Sequence, residues 1–212
     1  MPTNDMILVG QYDSPFVRRV AVSLRVLGVA YEHDTRSVFG DFDAMREINP
    51  LGRIPSLIMS SGETLIDSTA ILDWLDQSVG PDRALVPPAG PERRRVLRCV
   101  ALATGAIDKA GAVAYERLIR PSHYRWPEWI ERCRLQATGA IDALAAEPWL
   151  SNTRLDQAQI TTVCMIRYVR MTDSDLIPPG QYPTLDALSA GCESRPEFAA
   201  TFPAEYAVPQ SP

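Results

Sequence analysis

Apolar positions in the first eighty residues follow two alternating periods, one typical of strands and one typical of helices. Short apolar runs predict strands, and apolar positions spaced three and four residues apart predict amphipathic helices. In chain order, these patterns predict a strand at 6–10, a helix from Ser14 to Gly28, a weak strand at 30–34, a short helix at 41–48, a hairpin of 56–59 with 64–66, and a helix beginning at Asp67-Ser68. A right-handed crossover makes the first two strands parallel neighbours, so the hairpin completes a small mixed sheet.

A dense turn segment at 80–91 separates this pattern from a second one. It holds four prolines and two glycines in twelve residues, a composition that sustains neither a helix nor a central strand. Beyond it only helical periodicity is visible, at 92–118, 126–146, near 157–171 and near 184–193. We therefore predict an α+β domain of thioredoxin-like type at 1–80, a linker at 81–91, and an all-helical bundle at 92–212.

Composition and charge narrow the functional classes. The net charge of −5 argues against a nucleic-acid-binding surface. No apolar run is long enough to predict a membrane span, and the first residues lack the pattern of a secretory signal. The cysteines at positions 99, 133, 164 and 192 form no CxxC motif, and the chain has only two histidines. We therefore expect a cytoplasmic protein with reduced thiols and no metal site.

Three places along the first domain are candidate ligand contacts. A thiolate beside Ser14 would gain a hydroxyl hydrogen bond and the favourable end of a helix dipole, and both lower a thiol pKa. Asp67 suits an ammonium group and Ser68 a carboxylate, as in an amino-acid head group. Pro55, if cis, leaves the backbone of Ile54 free to pair with an extended ligand. Each place also has an ordinary structural interpretation. Ser14 and the Asp67-Ser68 pair can be plain helix caps, and Pro55 can be a trans proline in a turn.

Glutathione carries all three of these chemical groups, and with this combination the sequence resembles the glutathione transferase family. The segments that carry the resemblance are Ser14-Pro15-Phe16-Val17-Arg18-Arg19, Asn49-Pro50-Leu51-Gly52-Arg53-Ile54-Pro55, Asp67-Ser68, Leu155-Asp156-Gln157-Ala158-Gln159-Ile160-Thr161 and Arg195-Pro196-Glu197-Phe198. Their order along the chain covers nearly all 212 residues.

The resemblance implies a set of glutathione contacts. Ile54 pairs through its backbone with the cysteinyl unit, beside a cis Pro55. Asp67 and Ser68 hold the γ-glutamyl end, and Arg53, in place of a common lysine, lies near the glycyl carboxylate. Glutathione is then the co-substrate, and no metal is involved.

The thiol-facing position falls on Ser14, which makes it the predicted catalytic residue. Tyr12 is the alternative hydroxyl, because some classes of the family use a tyrosine at the end of the first strand. Tyr12 and Tyr115 are also candidates for the pocket that binds the electrophile. Relatives with a Cys-Pro-Phe pattern have a cysteine at position 14, so the serine here argues against thiol-transferase and dehydroascorbate-reductase chemistry, which needs a protein thiol.

The implied activity is that of a dimeric, cytosolic detoxification enzyme that conjugates glutathione to a small electrophile. Two alternatives remain open: a glutathione-dependent peroxidase or disulfide reductase, and a binding or regulatory module without turnover. The second domain departs from the family in its capping box, where Asp156 and Gln159 replace the usual Ser or Thr and Asp. Both residues still supply the required hydrogen bonds.

Overall fold

The structure, a computed structural model, describes residues 6–149 and 154–203 of the chain. Its strands are β1 (Ile7–Val9), β2 (Glu32–Asp34), β3 (Ser56–Ile58) and β4 (Thr64–Ile66). Its helices are α1 (Pro15–Val26), α2 (Phe42–Ile48), α3 (Ser68–Val79), α4 (Gly90–Leu118), α5 (Pro127–Ala145), α6 (Gln157–Thr172), α7 (Pro183–Glu193) and α8 (Pro196–Ala199), with 3-10 turns at Ser122–Tyr124 and Ser174–Leu176.

The four strands form one mixed sheet in the order β2-β1-β3-β4. Strand β1 runs parallel to β2 and antiparallel to β3, so Leu8 lies between His33 and Leu57. The β3–β4 hairpin is antiparallel. The predicted sheet topology is therefore confirmed, and the N-terminal part has the thioredoxin-like arrangement, followed by helices.

Helix α1 joins the sheet to the helical part of the chain. Between Val17 and Leu24 all of its residues are buried, because α3 packs on one side of it and α6 on another. Helix α6 is itself buried along most of its length and also packs against α4. One hydrophobic core therefore runs through both parts of the molecule.

The segment between α3 and α4 is attached to the core at Leu85 and Val86. The Asp76 carboxylate accepts hydrogen bonds from the backbone N–H groups of Leu85 at 2.7 Å and Val86 at 3.0 Å. Leu85 is buried, and its carbonyl accepts from the N–H of Gln157. Helix α4 begins at Gly90, two residues before the predicted start at 92. The prediction treated Pro91 as a breaker, but proline is accommodated in the first helical turn, where its missing N–H has no acceptor.

The start of α6 confirms the predicted capping box. The Asp156 carboxylate accepts from the Gln159 N–H at 2.9 Å, and the Gln159 side chain accepts from the Asp156 N–H at 3.1 Å. Sequence periodicity missed α8, because four residues are too short to show a period. Positions 150–153 and 204–212 of the predicted helical domain lie outside the described residues. Among the helices of the described ranges, none is long and apolar enough to cross a bilayer.

Candidate active site

Two adjoining cavities lie where the edge of the sheet meets α4. The larger, of about 500 Å³, lies between the start of α1, the 37–39 loop and the face of α4 that carries Tyr115. The smaller, of about 250 Å³, lies between the 49–55 loop and the start of α3. Four side chains line both and mark the junction: Phe16, Arg53, Ile54 and Asp108. An extended ligand that occupied both cavities would therefore touch both halves of the chain.

Ser14 caps α1 at the wall of the larger cavity. Its Oγ accepts a long hydrogen bond of 3.4 Å from the Val17 N–H, and the side chain is only partly buried. Because the oxygen acts as the acceptor in this contact, the hydroxyl proton can be donated to a ligand. Gly10 makes the close packing at this point possible: a Cβ there would lie 2.7 Å from Val17 Cγ2 and 2.8 Å from Ile54 Cβ.

Tyr12 lines neither cavity, whereas Tyr115 lines the larger one. The Tyr12 hydroxyl lies 2.8 Å from the Tyr31 hydroxyl, and its ring stacks on His33 with the centroids 4.0 Å apart. Burial, reinforced by the contact with Tyr31, raises the pKa of Tyr12 well above its ordinary value. These contacts hold the Tyr12 ring against β2, outside the lining of both cavities. Tyr115 meets Phe39 edge-on across the larger cavity, at 6.0 Å between ring centroids.

The loop before β3 is shaped by Asn49. Its Nδ2 donates to the Arg53 carbonyl at 2.8 Å, and its Oδ1 accepts from the Leu51 N–H at 3.0 Å. The Ile54–Pro55 peptide is cis, as the resemblance implied. Among the described residues, Ile54 has no backbone–backbone hydrogen bond. Its N–H and carbonyl therefore remain to pair with an extended ligand.

Asp67 holds the start of α3 in an uncommon backbone conformation. Its φ of 67° is positive, a region that side chains rarely adopt, although aspartate and asparagine tolerate it best. Its carboxylate accepts from the Thr69 N–H at 2.7 Å and is otherwise exposed at the rim of the smaller cavity. A residue held in such a conformation beside a cavity is typical of a binding site.

Beneath Ser68 lies a buried cation that sequence reasoning missed. Arg19 is 1% exposed and donates to the Ser68 Oγ from Nη2 at 2.7 Å and from Nε at 3.1 Å. Because the Ser68 oxygen accepts twice, its hydroxyl proton remains to donate into the smaller cavity. Burial lowers the pKa of Arg19 to about 10, which leaves it positively charged at neutral pH. In the sequence, the burial of Arg19 was indicated by its position between Val17 and Val20, within an apolar run.

Arg53 and Asp108 face each other at the junction of the two cavities. The Arg53 side chain is exposed and forms no ion pair with any described residue. Asp108 comes from α4 and its side chain is exposed; partial loss of hydration at the cavity wall raises the pKa of its carboxyl, with the Arg53 charge acting in the opposite direction. Sequence analysis missed Asp108, because a polar residue on a long helix is usually solvated.

No cysteine lines either cavity in the described part of the chain. All four are buried, and burial raises the pKa of Cys164 to about 12 and those of Cys99 and Cys192 to about 11. The described residues also hold no group of three or more side chains suited to a metal ion. All four thiols of the chain therefore lie away from both cavities.

Comparison with known proteins assigns the chain to a family. The family described as glutathione S-transferase, N-terminal domain, matches residues 8–83. An uncharacterized GST-like protein of Escherichia coli (strain K12), YibF, is 29% identical over 202 residues, which are 93% of this chain and 98% of that protein. A glutathione transferase family member from Pseudomonas fluorescens Pf-5, solved with bound glutathione, is 33% identical, with a TM-score of 0.84 over 94% of this chain and 99% of that one.

A further solved structure extends the likeness. A glutathione S-transferase of Methylobacterium radiotolerans, in complex with glutathione sulfonate, is 25% identical, with a TM-score of 0.88 over 98% of both chains. The two solved structures match this chain over nearly its whole length, including both the sheet and the helical part. This chain belongs to the glutathione transferase family.

Proposed function

We propose that this chain activates the thiol of glutathione beside Ser14 and transfers the resulting thiolate to a small electrophile in the larger cavity. The carrying observation is that Ser14 opens onto this cavity while Tyr12 is bonded to Tyr31 away from it. Glutathione would extend from the smaller cavity, with its γ-glutamyl end at Asp67 and Ser68. Arg53 would meet its glycyl carboxylate.

The chemistry requires a lower thiol pKa, and the start of α1 supports one. A hydrogen bond to a charged group contributes about 1.5–3 kcal/mol, and the end of a helix about 0.3–1 kcal/mol. One pKa unit corresponds to about 1.4 kcal/mol, so these contributions lower the thiol pKa by about one to three units. The thiolate then forms a carbon–sulfur bond, and the leaving group or the opened double bond takes the electron pair.

The decisive experiment compares Ser14→Ala with Tyr12→Phe. Ser14→Ala should raise the pKa of bound glutathione by about one to two units, equal to about 1.4–2.8 kcal/mol. Conjugation of a generic electrophile at pH 7 should fall about ten- to a hundredfold. The bound thiol pKa is measured from the ultraviolet absorbance of the thiolate at saturating glutathione, so that lost helix capping does not confuse the result.

Tyr12→Phe serves as the matched control, since it removes the other hydroxyl near the end of β1. It should leave the bound thiol pKa unchanged. If instead Tyr12→Phe raises that pKa and Ser14→Ala does not, the assignment of the hydroxyl is wrong. If glutathione fails to bind at several millimolar in calorimetry, the proposal fails as a whole.

We further propose that two copies of the chain pair through α3 and α4. A groove of about 720 Å³ on this face is lined by the apolar side chains of Leu72, Val86 and Leu97, and Leu97 is 42% exposed. Arg93 and Asp73 line the same groove. A twofold interface sets a patch against itself, so these opposite charges on one patch can pair with their counterparts on the second copy. Sedimentation equilibrium should give twice the 23.4 kDa chain mass, and Leu97→Glu should give the monomer. A monomeric wild-type chain at micromolar concentration contradicts this proposal.

A further inference from the structure

The turn between β1 and α1 carries Ser14, and this turn begins at a glycine. Gly10 is buried and has a φ of 126°, a region that side chains rarely adopt. Because a glycine backbone is free to take many conformations, Gly10 does not by itself fix the direction of the chain that leads to Ser14. That direction must be fixed by the neighbouring elements.

Strand β2 pairs with both backbone polar groups of Gly10. The Gly10 N–H donates to the Asp34 carbonyl at 2.8 Å. The Gly10 carbonyl lies 2.7 Å from Nε2 of His33, and because a carbonyl oxygen only accepts, the imidazole N–H is the donor. Two adjacent residues of β2 therefore hold the glycine in place, one through its backbone and one through its side chain.

The Gly10 carbonyl is connected to Ser14 by a short path. The peptide group is planar, so the direction of this carbonyl also sets the direction of the Gln11 N–H and of the chain beyond it. The Gln11 carbonyl accepts from the Ser14 N–H at 3.2 Å, which closes the turn. A change in the direction of the Gly10 carbonyl is therefore transmitted to Ser14 through Gln11.

The His33 ring also holds the middle of the turn. It stacks on the Tyr12 ring, with the centroids 4.0 Å apart and the planes 12° apart. The Tyr12 hydroxyl lies 2.8 Å from that of Tyr31, just before β2. His33 itself lines neither cavity, so its influence on a ligand passes through this turn.

We infer that His33 is a positioning residue: by holding the Gly10 carbonyl and the Tyr12 ring, it places the Ser14 hydroxyl against the thiol of glutathione. The inference rests on the proposed function for the role of Ser14. Its physical basis is that a buried carbonyl deprived of its donor is costly, so the carbonyl turns towards another partner and the turn that carries Ser14 moves with it.

The test measures the thiol pKa of bound glutathione in His33→Phe. Phenylalanine keeps an aromatic ring on Tyr12 and removes the donor to Gly10. The displaced Ser14 should form a weaker hydrogen bond with the thiolate, so the thiol pKa, read from the thiolate absorbance at saturating glutathione, should rise by about half a unit to one unit. The affinity for S-methylglutathione, which has no thiol to ionise, should be unchanged in calorimetry, and this measurement also shows that the variant is folded.

Two further variants show whether the effect follows this route. His33→Gln retains an N–H donor near the position of Nε2, so the thiol pKa should stay close to that of the wild-type chain. In Ser14→Ala the hydroxyl that His33 positions is gone, so adding His33→Phe to Ser14→Ala should raise the thiol pKa no further.

The matched control is His123→Phe, which makes the same substitution at the other histidine of the chain. His123 is exposed, lies against the Tyr124 ring and lines neither cavity. Its replacement should leave the thiol pKa of bound glutathione unchanged.

Three results overturn the inference: an unchanged thiol pKa in His33→Phe, a rise in His33→Gln as large as that in His33→Phe, or additive effects of His33→Phe and Ser14→Ala. In each of these cases a raised thiol pKa in Ser14→Ala alone leaves the proposed function intact. An unchanged thiol pKa in Ser14→Ala overturns the proposed role of Ser14 and this inference with it.

Discussion

Two adjacent arginines on α1 have the same burial and opposite surroundings. Arg18 and Arg19 are each 1% exposed. Arg18 turns towards the end of the described chain, where its two terminal nitrogens bond both carboxylate oxygens of Glu193, at 2.8 and 2.6 Å, and its Nε donates to the Thr201 carbonyl. Arg19 turns towards the ligand cavities and bonds hydroxyl groups, those of Ser68 and Thr69.

The difference shows how one residue type performs two tasks. The charge of Arg18 is balanced by a carboxylate in direct contact, so it ties α1 to the C-terminal helices. Among the described residues, no carboxylate forms an ion pair with Arg19, so its charge is left to act on the smaller cavity. A buried cation without a direct counter-ion carries a desolvation cost and, beside a binding site, favours an anionic ligand.

The largest expected effect is the loss of stability in Arg18→Met. Removing one partner of a buried ion pair leaves Glu193 without its guanidinium, which costs about 3–5 kcal/mol. Urea denaturation should show a free energy of unfolding lower by this amount. Among the molecules that remain folded, the affinity for glutathione should be unchanged, because Arg18 touches neither cavity.

The double variant Arg18→Met with Glu193→Met is the control for this prediction. It removes both charges and should recover part of the lost stability. If the double variant is as unstable as the sum of the two single variants, the contact between the two side chains is not the source of the effect.

A smaller and different effect is expected for Arg19→Met. The free energy of unfolding should change by about 1 kcal/mol or less, since the substitution removes a buried charge together with its hydrogen bonds to hydroxyls. The affinity for glutathione should fall about tenfold, or about 1.4 kcal/mol, because Ser68 loses both its orientation and the cation behind it. Calorimetry gives the affinity, and the thiol pKa of bound glutathione at saturation should not move.

Arg19→Lys sharpens the distinction between charge and geometry. It keeps the cation but cannot donate to Ser68 from two fixed nitrogens, so it should recover part of the affinity. An unchanged affinity in Arg19→Met would assign Arg19 a structural task like that of Arg18.

The smallest expected effect concerns Cys164, which lies within the field of both arginines. Burial raises its pKa to about 12, while Arg18 and Arg19 act to lower it. At pH 8 the side chain is therefore a protonated, inaccessible thiol, and a thiol reagent should leave it unlabelled in the folded wild-type chain. Mass spectrometry of labelled peptides should show faster labelling in Arg18→Met, through more frequent opening, and no change in Arg19→Met. Labelling of the folded wild-type chain at the rate of the denatured one contradicts this view of the core.

Local chemistry explains how far the sequence alone predicted the fold and the site. The positions of the strands, the starts of α1, α3 and α6, and the loop before Pro55 follow from caps, prolines and hydrophobic periods within a few residues of each other. The right-handed crossover rule made β1 and β2 parallel neighbours. The candidate site residues at these positions could be identified from the sequence for the same reason. The start of α4 was predicted two residues late, since one proline signals both a break and a beginning.

Tertiary packing decided what no local pattern encodes. Packing places the Tyr12 hydroxyl against that of Tyr31. It also places Asp108 of α4 near Arg53. Arg18 and Arg19, which lie on one helix, contact different elements. Side chains one residue apart on a helix point about 100° apart, so their partners depend on which elements pack on each side. The sequence determined where most of the helices begin, but the packing of α3, α6 and the C-terminal segment around α1 determined which arginine is bonded to a carboxylate and which faces the smaller cavity.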